Sequence, residues 1–241
     1  MLHLKPSMPA QQKFGPDLAL QVHLPRYKIG LTTILKDIQF ELKSGEVLAI
    51  LGPNGAGKST ILKCIAGTIP IQGSCMIFGS GKRTPDVKRL IGYLGHETFL
   101  YEKLSAQENL EFFAGLYGAN TSIEKLLKTF SLLDASHQLV ESYSRGMKQR
   151  LALARAMLAD PRLLLLDEPF TGLDMDASGL LKSNILEQKG KTAIVLTTHE
   201  LHRAYEIADR FLILKNGRQI FWGSRNEIPE RIEEFYRSLM A

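Results

Sequence analysis

Long apolar runs are missing from this sequence. No stretch approaches the roughly 20 residues that a membrane-crossing helix needs, so any membrane role is borrowed from a partner. Cysteine is scarce: only Cys64 and Cys75 occur in 241 residues. A disulfide would need an oxidising compartment, and a metal site would need more ligands, so both read as reduced thiols packed as small hydrophobes. Charge of one sign never clusters. The 30 Lys and Arg and 25 Asp and Glu are interspersed, leaving a net charge of +5. That mild basicity suits a phosphate ligand or an anionic surface and gives no argument for nucleic acid. Internal repeats and low-complexity tracts are absent too. Residues 1–17 hold Pro6, Pro9 and Pro16 and no apolar core, which excludes a secretory signal. They read as a flexible leader, and the expected location is cytoplasmic.

What is present is an ordinary globular composition, 44% apolar, in a length that fits one large domain with a subdomain. Alternation at 18–24 and a second run at 34–42 predict strands, the latter closed by a turn at 43–46. The short apolar runs 47–51, 163–166 and 192–198 have the character of strands covered on both faces. A further strand is expected at 74–78. Residues 58–66 predict a helix. Ser105 to Glu108 and Thr121 to Glu124 have the form of capping boxes that open helices, and a third helix is expected at 146–158, stopped by Asp160-Pro161. Three helices in a row without a strand predict an α-helical subdomain, about 97–160, inserted into an α/β core. Asn216-Gly217 between apolar runs at 211–214 and 219–222 is a hairpin signal. Ser224 to Glu227 has the same box form and is expected to start the C-terminal helix.

The most informative segment is Gly52-Pro53-Asn54-Gly55-Ala56-Gly57-Lys58-Ser59, followed by Thr60. It matches G-x-x-x-x-G-K-[ST] in full, between a predicted strand and a predicted helix. Glycines let backbone N–H groups turn inward around phosphates, and the helix N-terminus adds a favourable field. Lys58 supplies a charge for the β- and γ-phosphates, and the Ser59 hydroxyl suits Mg²⁺. Downstream, four leucines lead into Asp167-Glu168. The acids emerge where a buried parallel strand ends, the edge at which ligands sit. Asp167 is a candidate to hold Mg²⁺, and Glu168 is a candidate general base for an attacking water.

The order of motifs from the phosphate loop through Ser144-Arg145-Gly146-Met147, Asp167-Glu168, Thr171-Gly172-Leu173-Asp174 and His199 resembles the ATP-binding subunits of ABC transporters, from about Leu18 onward. The resemblance implies a P-loop NTPase core with a mixed sheet, an antiparallel β subdomain and the inserted helical subdomain, all within 18–241. It implies that 52–60 is the Walker A loop and Asp167-Glu168 the Walker B pair. It places Tyr27 where an aromatic stacks on adenine. Ser144 to Met147 would be the signature that reaches ATP held by another subunit, though the usual L-S-G-G-Q reads Tyr143-Ser144-Arg145-Gly146-Met147. Asp174 would be the D-loop aspartate and His199 the switch histidine. His96 stands where the family has the Q-loop glutamine. Tyr93-Leu94-Gly95-His96, with the signature wording, looks most like the haem-exporter ATPases of cytochrome c maturation, while exporters of drugs, lipids and polysaccharides share much of it. Implied with the family are ATP and Mg²⁺, a homodimer or paired ATPase subunit, separate transmembrane permease subunits and a place at the cytoplasmic face of the cell membrane. Phe99, Leu100 and Tyr101 are candidates for the permease contact. Rival readings are a soluble ABC ATPase clamp, which the absence of a second such domain or a long coiled coil disfavours, and a binding module without hydrolysis, which Glu168 and His199 disfavour.

Overall fold

The computed structural model describes residues 17–241; the expected leader lies outside the described residues except for Asp17. In chain order the strands are β1 (Leu18–Ile29), β2 (Thr32–Lys43), β3 (Val47–Leu51), β4 (Ser74–Ile77), β5 (Ile91–Leu94), β6 (Leu163–Asp167), β7 (Ala193–Thr198), β8 (Arg210–Lys215) and β9 (Arg218–Ser224). The helices are α1 (Lys58–Ala66), α2 (Pro85–Arg89), α3 (Ala106–Tyr117), α4 (Ile123–Thr129), α5 (Arg145–Met157), α6 (Met175–Gln188), α7 (Leu201–Ile207) and α8 (Ile232–Met240). The strands form one sheet in the order β4-β1-β2-β9-β8-β3-β7-β6-β5. Strands β8, β3, β7, β6 and β5 are mutually parallel, whereas β8 and β9, β1 and β2, and β1 and β4 pair antiparallel.

The leucine-rich runs explain the parallel core. Every residue of β3, β6 and β7 is buried. Alternate side chains feed two separate cores: Leu164, Leu166, Ile194 and Leu196 face one, and Leu163, Leu165, Ala193 and Val195 face the other. Burying one such Leu or Ile is worth about 1.5–3 kcal/mol, so a strand apolar on both faces is stable only between two layers. Helix α1 supplies Ile61, Leu62 and Ile65 to one core. Leu110 of α3, Leu127 of α4, Leu151 of α5, Ile185 of α6 and Ile207 of α7 supply the other. Between β5 and β6 the chain makes only helices and 3-10 turns, as α3, α4 and α5.

Local chemistry corrects several expected boundaries. Strand β4 stops at Ile77, because Phe78 adopts φ +45°. Ser122, not Thr121, caps α4, accepting from Lys125 N, while the Thr121 hydroxyl donates to the Leu158 carbonyl. The box at Ser224 and Glu227 does form, but around a single 3-10 turn, and α8 starts later at Ile232. Asn216 and Gly217 take φ +50° and +73°, the turn that an Asn-Gly hairpin requires.

Both thiols are enclosed, Cys64 at 2% and Cys75 at 4% exposure. Burial pushes the Cys64 thiol up to about 12, with the neighbouring Cys75 adding to the rise. Burial also raises Cys75, against the Arg83 guanidinium 2.8 Å from its Sγ. Since the thiolate is the reactive form, a disulfide reagent at pH 8 is expected to label neither cysteine in the folded chain and both after denaturation. A rapid phase of one thiol per native chain would contradict this burial.

Candidate active site

Parallel register brings the phosphate loop and the acid pair to one edge. Leu51, the last residue of β3, pairs with Thr198 of β7, and Asp167 of β6 pairs with Thr197. The loop after β3 bends through Gly52, Gly55 and Gly57, at φ +153°, +80° and +100°. A side chain at Gly52 is excluded by approach as well as by torsion, since its Cβ would sit 2.7 Å from the Leu214 carbonyl oxygen. Helix α1 then starts at Lys58, after Gly57, with no side-chain cap and no acid in its first turn. By contrast, α3, α5 and α6 are capped by Ser105, Ser144 and Asp174. The free N–H groups of α1 therefore retain their capacity for an anion.

Six polar side chains converge there. Lys58 Nζ donates to the Gly52 carbonyl at 2.8 Å and lies 3.3 Å from Glu168 Oε1. The Ser59 hydroxyl donates to Asp167 Oδ1 at 2.9 Å. Thr197 Oγ1 donates to the same oxygen at 2.7 Å and accepts from the Glu168 amide at 2.9 Å. Glu168 Oε2 lies 3.0 Å from His199 Nδ1. Asp167 is 2% exposed, yet its Oδ2 has no hydrogen-bond partner among the described residues. A buried carboxylate oxygen left unpaired beside a serine hydroxyl is the donor set that a hard divalent cation takes. Glu168 itself holds φ +49°, a left-handed conformation that costs a non-glycine residue about 1 kcal/mol and is characteristic of functional turns. Next door, burial and the Asp167 charge push the Tyr93 phenol up to about 12.

Other expected site residues lie elsewhere. Ser144 accepts from Met147 N and so caps α5, and Asp174 caps α6 through Ala177 N. Among the described residues, no hydrogen bond or ion pair joins residues 144–147 to the phosphate loop. His96 is exposed and is not among the side chains bonded to the acid pair. Tyr27, expected against adenine, is 4% exposed and belongs to the core that includes Leu35 and Cys64. The exposed apolar side chains near it in sequence are Ile29 and Leu31. Thr197 was not anticipated. Its signal is a hydroxyl at the end of an apolar strand, two residues before His199. Gln149, whose amide donates to the Pro169 carbonyl at 3.1 Å, carried no signal of its own.

An uncapped helix behind a glycine loop, with a lysine and an acid pair at the same sheet edge, defines a nucleoside triphosphatase of the P-loop class. The ABC transporter family model matches residues 35–171, and the chain belongs to that family. It is 37% identical over 207 residues to the ABC transporter ATP-binding protein NatA of Bacillus subtilis, covering 81% of this chain and 84% of that one. The fluoroquinolones export ATP-binding protein of Mycobacterium tuberculosis is 36% identical, covering 84% and 69%. The Nod factor export ATP-binding protein I of a Rhizobium strain is 37% identical, covering 82% and 68%. The solved structure of an ATP-binding subunit of an ABC transporter superposes with TM-score 0.83 at 33% identity, over 92% of this chain and 100% of that one. A dimeric ATP-binding cassette in a post-hydrolysis state, bound to ADP and Pi, gives 0.76 at 25% identity, over 86% and 98%. The chain is an ATPase.

Thr197 joins both acids, so its replacement is diagnostic. Thr197→Val keeps the shape and removes the hydroxyl, leaving the Glu168 amide and Asp167 each short of a partner at a cost of about 1–3 kcal/mol. A lower urea midpoint together with slower ATP turnover is expected. Unchanged stability would show that the hydroxyl is not the hub.

Proposed function

We propose that this chain powers an ABC exporter by hydrolysing ATP in a site shared between two ATPase subunits. The convergence of Lys58, Ser59, Asp167, Glu168 and His199 on one sheet edge carries the reading. The β- and γ-phosphates sit over the uncapped start of α1, against residues 52–60. Lys58 leaves Glu168 for the phosphate oxygens. Glu168, held by His199, then orients a water whose oxygen attacks the γ-phosphorus. The bond to the β-phosphate oxygen breaks, and the water's proton passes to Glu168. Ser59 and Asp167 would hold Mg²⁺, whose charge offsets that of the phosphate oxygens. Ser144, Arg145, Gly146 and Met147 complete the partner subunit's site, and Asp174 lies in the loop between the two. The dimeric structure bound to ADP and Pi supports a two-copy arrangement. His96 takes the Q-loop position, and its exposure leaves it available to the nucleotide.

A separate permease supplies the membrane path. No helix among the described residues is long and apolar enough to cross a membrane. The surface that meets the permease is centred on Phe99 and Tyr101, 56% and 49% exposed, with Phe112 and Leu116 of α3 extending it. Contiguous exposed aromatics of this kind mark interaction sites. Leu100 packs partly into the core beneath them. The chain would thereby be held at the cytoplasmic face of the cell membrane. Export is favoured by relatives named for fluoroquinolones and Nod factor. Cargo is proposed at that level. The wording around His96 points to haem, and the relative named for fluoroquinolones favours the drug alternative.

Replacing Glu168 by Gln removes the base and keeps the loop. ATP turnover is expected to fall on the order of a hundredfold, while binding of a fluorescent ATP analogue persists. A Gln variant that hydrolyses at the parent rate would remove Glu168 from the mechanism.

A further inference from the structure

Arg145 opens α5, and its guanidinium fills the space above Gly172. A Cβ built on Gly172 would lie 2.5 Å from Nη1 and 2.6 Å from Nε. The contact is tight, yet Arg145 has no hydrogen bond or ion pair among the described residues. The other basic side chains of α5 are engaged: Lys148 with Glu102, Arg150 with the Phe130 carbonyl and Arg155 with the Tyr93 carbonyl. Helix stability does not explain a cation here, because positive charge is unfavourable at a helix N-terminus. The residue also differs from the glycine of the usual signature wording.

The segment beneath Arg145 is the one that carries the base. Residues 168–173 form two successive turns, with Thr171 N donating to the Glu168 carbonyl and Leu173 N to that of Phe170. Helix α5 grips it at three points. Gln149 bonds Pro169, Arg145 covers Gly172, and Gly146 faces Leu173, whose Cδ2 would lie 3.9 Å from a Cβ built there. Gln149 and Gly146 act at its two ends. Arg145 bears on Gly172 from the same turn that holds Ser144, while Arg203 of α7 covers the Phe170 ring at 4.7 Å.

We propose that Arg145 is a positioning residue that couples the signature turn to the Glu168 turn of its own chain. Closure of a second copy's nucleotide onto Ser144 and Gly146 presses the guanidinium onto Gly172 and sets the backbone that holds Glu168. Each site then hydrolyses in response to occupancy of the other. The inference rests on the two-copy reading above.

The test is ATP hydrolysis by the full chain across ATP concentration, with R145A, R145K and G172A beside the parent. Two coupled sites give the parent a Hill coefficient that rises toward about 2. R145A is expected to drop it to about 1 and to slow turnover on the order of tenfold, the size of coupling that a side-chain link carries. Affinity of the isolated chain for a fluorescent ATP analogue and the melting temperature stay at the parent's values. R145K, with charge but no planar fork, follows R145A. G172A, whose methyl evicts the guanidinium, does the same; because Gly172 holds φ +74°, its melting temperature is read alongside. A merely structural Arg145 would lower the melting temperature and leave cooperativity intact, which overturns the proposal. So does a parent Hill coefficient of 1. Size-exclusion chromatography of E168Q with ATP separates the failures. If E168Q stays monomeric, the two-copy reading falls and this inference with it. If it dimerises while R145A remains cooperative, only the inference falls.

Discussion

The structure depends on three parallel strands ending in step. β3 delivers the phosphate loop, β6 delivers the acid pair, and β7 runs between them with Thr197 and Thr198 at its tip. A shift of one residue in either ladder would move Asp167 away from Ser59 and turn the leucines of β6 onto the wrong core. The two apolar cores hold that register, and the hydroxyl of Thr197 ties it to the chemistry by touching both acids. Burial far from the nucleotide thus fixes distances of about 3 Å at it.

Without nucleotide the site satisfies itself. Lys58 is shared between the Gly52 carbonyl and Glu168, and Glu168 between Lys58 and His199. The lysine that must meet phosphate and the carboxylate that must meet water neutralise each other. A phosphate offers Lys58 more charge than one carboxylate does, so nucleotide binding and release of the base become one event. Asp167 differs. Its Oδ1 is fully engaged, and its Oδ2 has no hydrogen-bond partner among the described residues.

Much of this was legible in the residues. The glycine loop, Lys58 and the pair Asp167-Glu168 are contiguous motifs, and the apolar runs before them revealed buried parallel strands. Contacts made across the fold were not legible. Thr197, Gln149 and the meeting of Arg145 with Gly172 depend on which elements lie side by side. Nor was the burial of Tyr27 legible, because its place in the chain says nothing about which way its ring turns. The box at Ser224 was real chemistry around a shorter element: capping satisfies a first turn whether or not a helix continues.

Nucleotide binding is expected to take Lys58 from Glu168. A crystal structure of the full chain with Mg²⁺ and a non-hydrolysable ATP analogue measures it directly. Phosphate oxygens are expected over the start of α1, with Lys58 Nζ on those oxygens and Glu168 detached from Lys58 but still beside His199. A bound nucleotide with the contact between Lys58 and Glu168 intact would contradict it.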